Sequence, residues 1–454
     1  MDYQQALQYL QSFADFEKKT GYSYTASFDL RRPRALLKLV GDPHLRVPSI
    51  LVAGTKGKGS TSVMIASILQ ASGRRVGLYS QPHLHTYRER IRVDGILITP
   101  EEMAAAVEAV VPAVEELGRQ QPELGTRTTY EVATTAAMLY FARLAPDLVV
   151  LEIGLGGRLD AVNVVNPLVS VITPVSLDHV QILGNTVAQI ATEKAGIIKE
   201  NGVVVAARQS EEAMDVIRRV AAERNAELIV AAPDVVERAE PLTEPRGGLA
   251  RPRWERTDVR LRALSGVVYR VQLPLLGAHQ VANAATAITV IEQLAKHGIR
   301  VGREDVEEGL AQVQWPGRLE IVSRLPLVVV DGAHNADSAQ KLAAALEESF
   351  FYRRLILVLG TSSDKDVEGI IAALGPMAAV AIATRSRHSR AAAPERLAAG
   401  LSRHCPDVRI APDVPSALTL AAELADPADL ICTTGSLFTV ADARDHYGLA
   451  LEKD

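Results

Sequence analysis

Cysteine is nearly absent: Cys405 and Cys432 are the only two in 454 residues, and neither belongs to a C-x-x-C pair. A disulfide framework and a cysteine-based zinc site are thereby excluded, and a reduced, cytoplasmic setting is expected. Long hydrophobic runs are missing as well. None approaches the ~18 residues needed to cross a bilayer, so no membrane association is expected. The N-terminal stretch MDYQQALQYLQSFADFEKK reads as an amphipathic helix with acidic residues, not as a signal peptide. Positive charge is not in excess, since 49 Lys and Arg against 54 Asp and Glu leave a formal charge of -5. That argues against nucleic acid as a partner while leaving room for a local basic pocket. Aromatic residues are scarce at 4%.

What is present is the composition of a globular chain, 48% apolar and 23% charged. At about 100–200 residues per domain, two or three domains are expected. Apolar runs alternate with helical patterns: the run ending at Ala53, then Leu148 to Glu152, Leu168 to Ile172, Val203 to Ala206, Val328 to Asp331, Leu355 to Leu359, Val380 to Ala383 and Leu430 to Thr433. Continuous β-rich runs separated by helices imply parallel sheets covered on both faces. Val259 to Leu273 breaks the rhythm and reads as an antiparallel hairpin turning at Ser265-Gly266, preceded by a Pro/Gly/Arg-rich loop from Glu244 to Arg256. A helix bearing Val281, Ala285, Ile288, Ile291 and Leu294 ends near His297-Gly298, and the domain boundary is placed there. The expected fold is α/β. Residues 1–298 form a P-loop parallel-sheet ATPase domain with a small antiparallel β element, and residues 299–454 a Rossmann-like C-terminal domain.

The seven residues Gly54, Thr55, Lys56, Gly57, Lys58, Gly59 and Ser60 join an apolar run to an amphipathic helix. Glycines let backbone N–H groups converge on a phosphate chain, the helix N-terminus adds positive potential, and Lys58 brings a full charge. The loop is out of register with G-x-x-x-x-G-K-[ST], because Gly59 separates Lys58 from Ser60. Glu152 ends a buried strand and precedes IGLGGRLDAVN, so it can reach a magnesium ion on the phosphates; the glycines beside it favour that over a capping role. Asp178 and His179 follow the next strand, where His179 is either structural or a ligand. In TVAQIATEKAGIIK, Thr186 and Gln189 make a capping box, and Val187, Ala191 and Lys194 share a face. A snorkelling or ion-paired Lys194 is the plain reading; burial that lowers its pKa, allowing a carbamate, is the sharper one. Arg318 in WPGR lies just past the proposed linker, where it can clamp a phosphate on domain closure or form an interdomain salt bridge. Asp331 and His334 stand at another strand's carboxyl end.

The ordered series GTKGKGS, QPHL, LEIGLGGRLDAVN, SLDHV, EKAGIIK, GAHQVANA, WPGR, VDGAHN and TTGSLF resembles the folylpolyglutamate synthase/dihydrofolate synthase members of the Mur ligase family, from about residue 40 to residue 440. The resemblance implies an ATP- and magnesium-dependent ligase that adds L-glutamate to a folate or to dihydropteroate through an acyl phosphate, with no covalent enzyme nucleophile. It assigns ATP binding to the loop from Gly54 to Ser60 and to Asn283, Arg318 and Asp331. Metal binding falls to Ser60, Glu152, His179 and a carbamylated Lys194 serving the second of two ions. Lys58, Lys194, His179 and Arg318 are the implied catalytic residues, Tyr130 the aromatic against the pterin, and His334 and Ser436 the positions tied to the incoming glutamate. A monomer is expected.

Two departures stand out. The family's loop usually reads GTNGKGS, so Lys56 adds a charge that either meets the phosphates or faces outward. The family's TSPHL appears as Ser80-Gln81-Pro82-His83-Leu84, placing Gln81 where a metal-ligating serine is usual; Gln81, Ser80 or a water can fill that place. The nearest rival, a peptidoglycan-precursor ligase, carries a UDP-sugar-binding domain before the loop, and only about fifty residues precede it here. A nucleotide-binding switch without ligase activity is the reading from another class.

Overall fold

Eight strands build the N-terminal sheet: β1 (Ser49–Ala53), β2 (Val76–Tyr79), β3 (Ile91–Val93), β4 (Ile96–Leu97), β5 (Leu148–Glu152), β6 (Val169–Ile172), β7 (Val203–Ala207) and β8 (Glu227–Ala231), in the order 4-3-2-5-1-6-7-8. The computed structural model describes residues 1–16, 24–231, 234–238, 249–253, 256–450 and 452–454. Strands β2, β5, β1, β6, β7 and β8 are parallel, and β3 and β4 add an antiparallel edge. The central strands β1, β5 and β6 are buried at every position, which is why each reads as an unbroken apolar run. Alternate residues of β1 feed two cores, Leu51 and Ala53 on one face, Ile50 and Val52 on the other. Because β1 lies between β5 and β6, the chain leaves it in opposite directions, and a crevice opens at the carboxyl ends of these strands.

The hairpin forms as expected, Thr257–Arg262 against Val268–Leu273 with Val259 opposite Val271, and a third strand, Asp234–Arg238, completes a small antiparallel sheet. The Pro/Gly/Arg-rich loop before it lies in large part outside the described residues. Helix Ala278–Leu294 ends through a 3₁₀ turn, Ala295–His297, and Gly298 at φ +78°. The boundary expected at residue 298 therefore coincides with a helix end. The next helix, Arg303–Gln312, still packs on the N-terminal side: Val306, Leu310 and Val313 belong to that core, and Leu319 belongs to the following one.

That helix also braces the helix Lys58–Ala71, which starts at the glycine-rich loop. A Cβ on Gly309 would lie 2.4 Å from Ile68 Cα, and the Ser67 hydroxyl donates to the Gly309 carbonyl at 2.6 Å. Gly309→Ala is expected to destabilise the protein by about 1–3 kcal/mol through overpacking, seen as a lower urea midpoint. An unchanged midpoint would mean that the two helices separate at no cost.

The C-terminal sheet runs Glu320–Arg324, Leu327–Asp331, Leu430–Thr434, Leu355–Leu359, Ala378–Ala383, Val408–Ile410, all parallel except the first. It has its own two cores, with Val329 and Leu357 on one face and Val328 and Ile356 on the other. Among the described residues, no helix is long and apolar enough to cross a membrane.

Candidate functional site

Strand β1 delivers the chain into the loop at Gly54. Gly54 has φ +149°, and a Cβ there would sit 1.8 Å from Thr173 Oγ1; Gly57 has φ +82°, and its Cβ would sit 2.4 Å from Asn283 Oδ1. Both positions exclude other side chains on two grounds. The N–H groups of Thr55 and Lys56 both donate to the Pro174 carbonyl, at 2.9 and 3.1 Å, pinning the loop to the segment after β6. Gly57 is the N-cap of the following helix and provides no side-chain cap, so the first turn's N–H groups are open to an anion. The out-of-register Gly59 has a tertiary reason: a Cβ there would lie 2.8 Å from the ring of Trp315, in the WPGR segment.

The opposite rim begins at Glu152, 3% exposed at the end of β5. Burial raises its pKa and the Lys58 charge opposes that rise; its carboxylate accepts the Gln81 N–H at 3.3 Å. The Gln81 side-chain nitrogen is engaged elsewhere: its Nε2 donates to Tyr130 Oη at 2.6 Å and to the Glu152 carbonyl at 3.2 Å. Tyr130 in turn donates to Asp160 Oδ1 at 3.2 Å, while Asp160 Oδ2 accepts the N–H groups of Gly154 and Leu155 at 3.0 and 3.1 Å. Burial pushes the Asp160 carboxyl up to about 6 against these donors. Asp160 thus holds the glycine loop, a role the sequence reading did not single out. Ser80 is buried behind this wall with its N–H on the Arg90 carbonyl at 3.0 Å, and, unlike Gln81 and Ser60, it does not line the cleft.

Helix Val187–Ala195 opens with the expected Thr186/Gln189 capping box and carries Lys194 inward. Lys194 is 5% exposed, so the snorkelling reading fails; its Nζ donates to the Gly54 carbonyl at 2.8 Å. Burial, then the charge of Lys58, push its pKa down to about 7. The GLGG loop docks on this helix, since a Cβ on Gly157 would lie 2.7 Å from the Glu193 carbonyl oxygen. His179 stands at φ +50° before the short helix Val180–Leu183; its side chain is 44% exposed to the cleft, and enclosure there, then Lys365, push its imidazole pKa down, with Asp178 opposing. A neutral ring suits metal coordination.

Asp178 is the meeting point of two domains. Its Oδ2 accepts Lys56 Nζ at 3.1 Å and lies 3.7 Å from His334 Nε2, while Oδ1 lies 4.0 Å from Lys365 Nζ. Burial would raise its pKa, but His334 and Lys56 hold it well below the usual carboxylate range. Lys56 is itself pulled down by burial, an effect that Asp178 opposes. Lys56 is therefore neither an outward-facing side chain nor an unpaired charge.

The C-terminal domain contributes its strand ends. The Asp331 carboxylate accepts Leu319 N–H at 2.8 Å and Ala333 N–H at 2.9 Å, tying the WPGR turn to the strand end; burial raises its pKa and Arg318 opposes. Arg318 Nη1 donates to the Gly317 carbonyl at 3.2 Å, and a Cβ on Gly332 would lie 2.6 Å from it. His334 Nδ1 is 2.8 Å from the Gly332 carbonyl oxygen, and Ser436 Oγ accepts the Thr439 N–H at 3.0 Å as a helix N-cap. Asn283 Nδ2 donates to Gln280 Oε1 at 3.0 Å.

Apart from Ser80, every residue expected at the site lines one cleft of ≈ 1410 Å³ between the two sheets' carboxyl edges. Lys365 also lines it and was missed by sequence reading; its position shortly after the strand Leu355–Leu359 was the available signal. Among the described residues, no three His, Cys, Asp or Glu side chains gather around a common metal position. The arrangement presents the cations Lys58, Lys365 and Arg318 with the carboxylates Glu152 and Asp331, a cleft suited to a polyanion.

Residues 52–291 match the Mur ligase middle domain, and residues 317–437 match the Mur ligase, glutamate ligase domain. The chain is 37% identical over 452 residues to the probable bifunctional folylpolyglutamate synthase/dihydropteroate synthase of Haloferax volcanii, covering 99% of this chain and 51% of that protein, so it spans about half that relative's length. It is 36% identical over 447 residues to the dihydrofolate synthase/folylpolyglutamate synthase of Mycobacterium tuberculosis, covering 92% and 90% of the two. The structure of Mycobacterium tuberculosis folylpolyglutamate synthase complexed with ADP superposes with a TM-score of 0.87 at 34% identity over 98% of each chain. Two matched domains, curated relatives and a shared fold agree: the chain belongs to the Mur ligase family of ATP-dependent ligases, in its folylpolyglutamate synthase/dihydrofolate synthase group.

Proposed function

We propose that the protein uses ATP to join L-glutamate to dihydropteroate and to reduced folates. The observation that carries this reading is the single cleft walled by the phosphate loop on one side and by His334, Lys365 and Ser436 of the C-terminal domain on the other. The acceptor's carboxylate oxygen attacks the γ-phosphorus, ADP departs, and the acyl phosphate is attacked at carbon by the glutamate amine, which loses a proton as phosphate leaves. Lys58 and Arg318 offset the phosphate oxygens, and the open N–H groups of the first helical turn hold them. Tyr130, fixed by Gln81 and Asp160, presents its ring to the acceptor's heterocycle. Asn283 and Asp331 belong to the nucleotide's surroundings, His334 and Ser436 to the glutamate's.

Magnesium fits this site. Glu152 is a buried carboxylate with one long donor, a hard oxygen ligand beside the loop; Ser60, a neutral His179 and a carbamylated Lys194 complete the donors. When bound, the ion would neutralise charge on the transferring phosphate. The field of Lys58 that disfavours the Lys194 ammonium would favour its carbamate. Gln81 spends its Nε2 on Tyr130 and the Glu152 carbonyl, which leaves its Oε1 as a further oxygen donor at the cleft, whereas Ser80 lies behind the wall. A monomeric, cytoplasmic enzyme is part of the reading; Cys405 and Cys432 are free and buried, in keeping with a reduced compartment.

ADP release from ATP is expected to depend on both acceptor and glutamate, and mass spectrometry should find acceptors one glutamyl residue heavier. A nucleotide switch would be indifferent to glutamate. If correctly folded protein forms no glutamylated product from either dihydropteroate or reduced folates, the reading fails.

A further inference from the structure

Lys56 is the loop's unusual residue, and its amine reaches across to Asp178 at 3.1 Å. Asp178 is 11% exposed at its side chain and comes from the segment after β6, whose Pro174 carbonyl already accepts the loop's Thr55 and Lys56 N–H groups. From the C-terminal domain, His334 approaches the same carboxylate oxygen at 3.7 Å and Lys365 the other at 4.0 Å. Two residues away, Ser176 Oγ donates to Asp337 Oδ2 at 3.3 Å, a second bond between the domains. One buried carboxylate is thus shared by the phosphate loop and two side chains of the opposite domain. A buried charge of this kind holds its partners only when its cationic surroundings are complete, since losing one leaves the remainder undercompensated.

We infer that Lys56 is a positioning residue that acts through Asp178, tying the phosphate loop to the C-terminal domain and so favouring the closed arrangement of the two domains. A long cationic side chain is required because its stem brings a full charge from the loop to Asp178, which a shorter neutral side chain cannot do. Domain closure and loop position then become one equilibrium, and the glutamate-binding wall is brought up by the loop's own side chain as well as by nucleotide.

The inference deepens the ligase reading, and its decisive test needs no substrate. Small-angle X-ray scattering of the nucleotide-free protein is expected to give a larger radius of gyration for Lys56→Asn and for Asp178→Asn than for the wild type, with Lys56→Arg restoring the compact value. ADP affinity of Lys56→Asn, from calorimetry, should stay within about threefold of wild type, while KM for glutamate rises about tenfold, the scale of one interaction between contacting charges. Should Lys56→Asn fold poorly, Asp178→Asn carries the same scattering test. Unchanged scattering in the folded variants overturns the inference, as does failure of Lys56→Arg to restore compactness. A loss of ADP affinity of tenfold or more in a still compact Lys56→Asn would put Lys56 on the phosphates instead. Because scattering and ADP binding are independent of the acceptor, a wrong acceptor assignment leaves this test standing.

Discussion

Replacing Arg318 by alanine is expected to lower kcat by about 10³-fold, the usual worth of a guanidinium that meets a transferring phosphoryl group, while ADP affinity changes far less. Arg318 sits in the turn that joins the two cores, between Val313 of one and Leu319 of the other. The turn is held at both ends: Asp331 accepts the Leu319 N–H at 2.8 Å, and the ring of Trp315 packs where a side chain on Gly59 would stand. The guanidinium is therefore carried to the cleft by the junction between domains, and its charge is well placed during transfer only when that junction is formed. Arg318→Lys should recover little, because an ammonium lacks the planar fork that meets two oxygens. Steady-state and single-turnover kinetics with ATP check both variants; near-wild-type kcat in Arg318→Ala would remove the residue from the chemistry.

Lys194→Ala is expected to lower kcat by about 10²–10³-fold, with partial recovery on adding short carboxylic acids, which can place an oxygen anion in the vacated space. Only the free amine adds CO₂. With the pKa pushed down to about 7, the free amine makes up about half of the population near pH 7, and its share grows above it. Activity after preincubation with bicarbonate should therefore rise through this range. The same shift has a sign in stability. From the ordinary value of 10.5 down to about 7, the unfolded chain binds Lys194's proton while the folded protein does not, so the contribution to stability is lost as pH falls through that window and constant below it. Urea midpoints of wild type and Lys194→Met across the window check this; the wild-type loss should be absent from the variant. Full activity of Lys194→Ala in bicarbonate-free buffer would end the carbamate reading.

Much of the fold could be read from the chain because buried parallel strands declare themselves. Strands β1, β5, β6 and β7, and the C-terminal strands ending at Asp331, Leu359, Ala383 and Thr434, are continuous apolar runs. The strands that escaped are those whose surroundings weaken the pattern. β8 is mostly half-buried, β4 has two residues, and β2 contains Gly77, which lies against Phe141 and Val149. The boundary expected at residue 298 rests on a local signal of a related kind. A glycine after a helix marks where the helix stops, and only packing tells which core the next helix joins.

The candidate site divides in the same way. Glycines, carboxylates and histidines at strand ends could be found along the chain, since parallel sheets gather their loops at one edge. Lys365 could not be ranked above other exposed-looking lysines until the opposite domain was in place. Which of Gln81 and Ser80 faces the cleft could not be read from the chain: Gln81 lines it with its Nε2 held by Tyr130, and Ser80 is enclosed by the wall.

By itself, the sequence determined that this chain has two α/β units, that a glycine-rich loop opens one of them, and which chemistry-bearing residues stand at the strand ends. These are consequences of local periodicity and of residue type. Only the tertiary structure decided the partners: Lys56 with Asp178, 122 positions away, Lys194 with the Gly54 carbonyl, 140 positions away, and Trp315 over Gly59. Such pairs depend on how two sheets and their connecting turn pack in space, and a charge's effect depends on the burial and the neighbours it finds there.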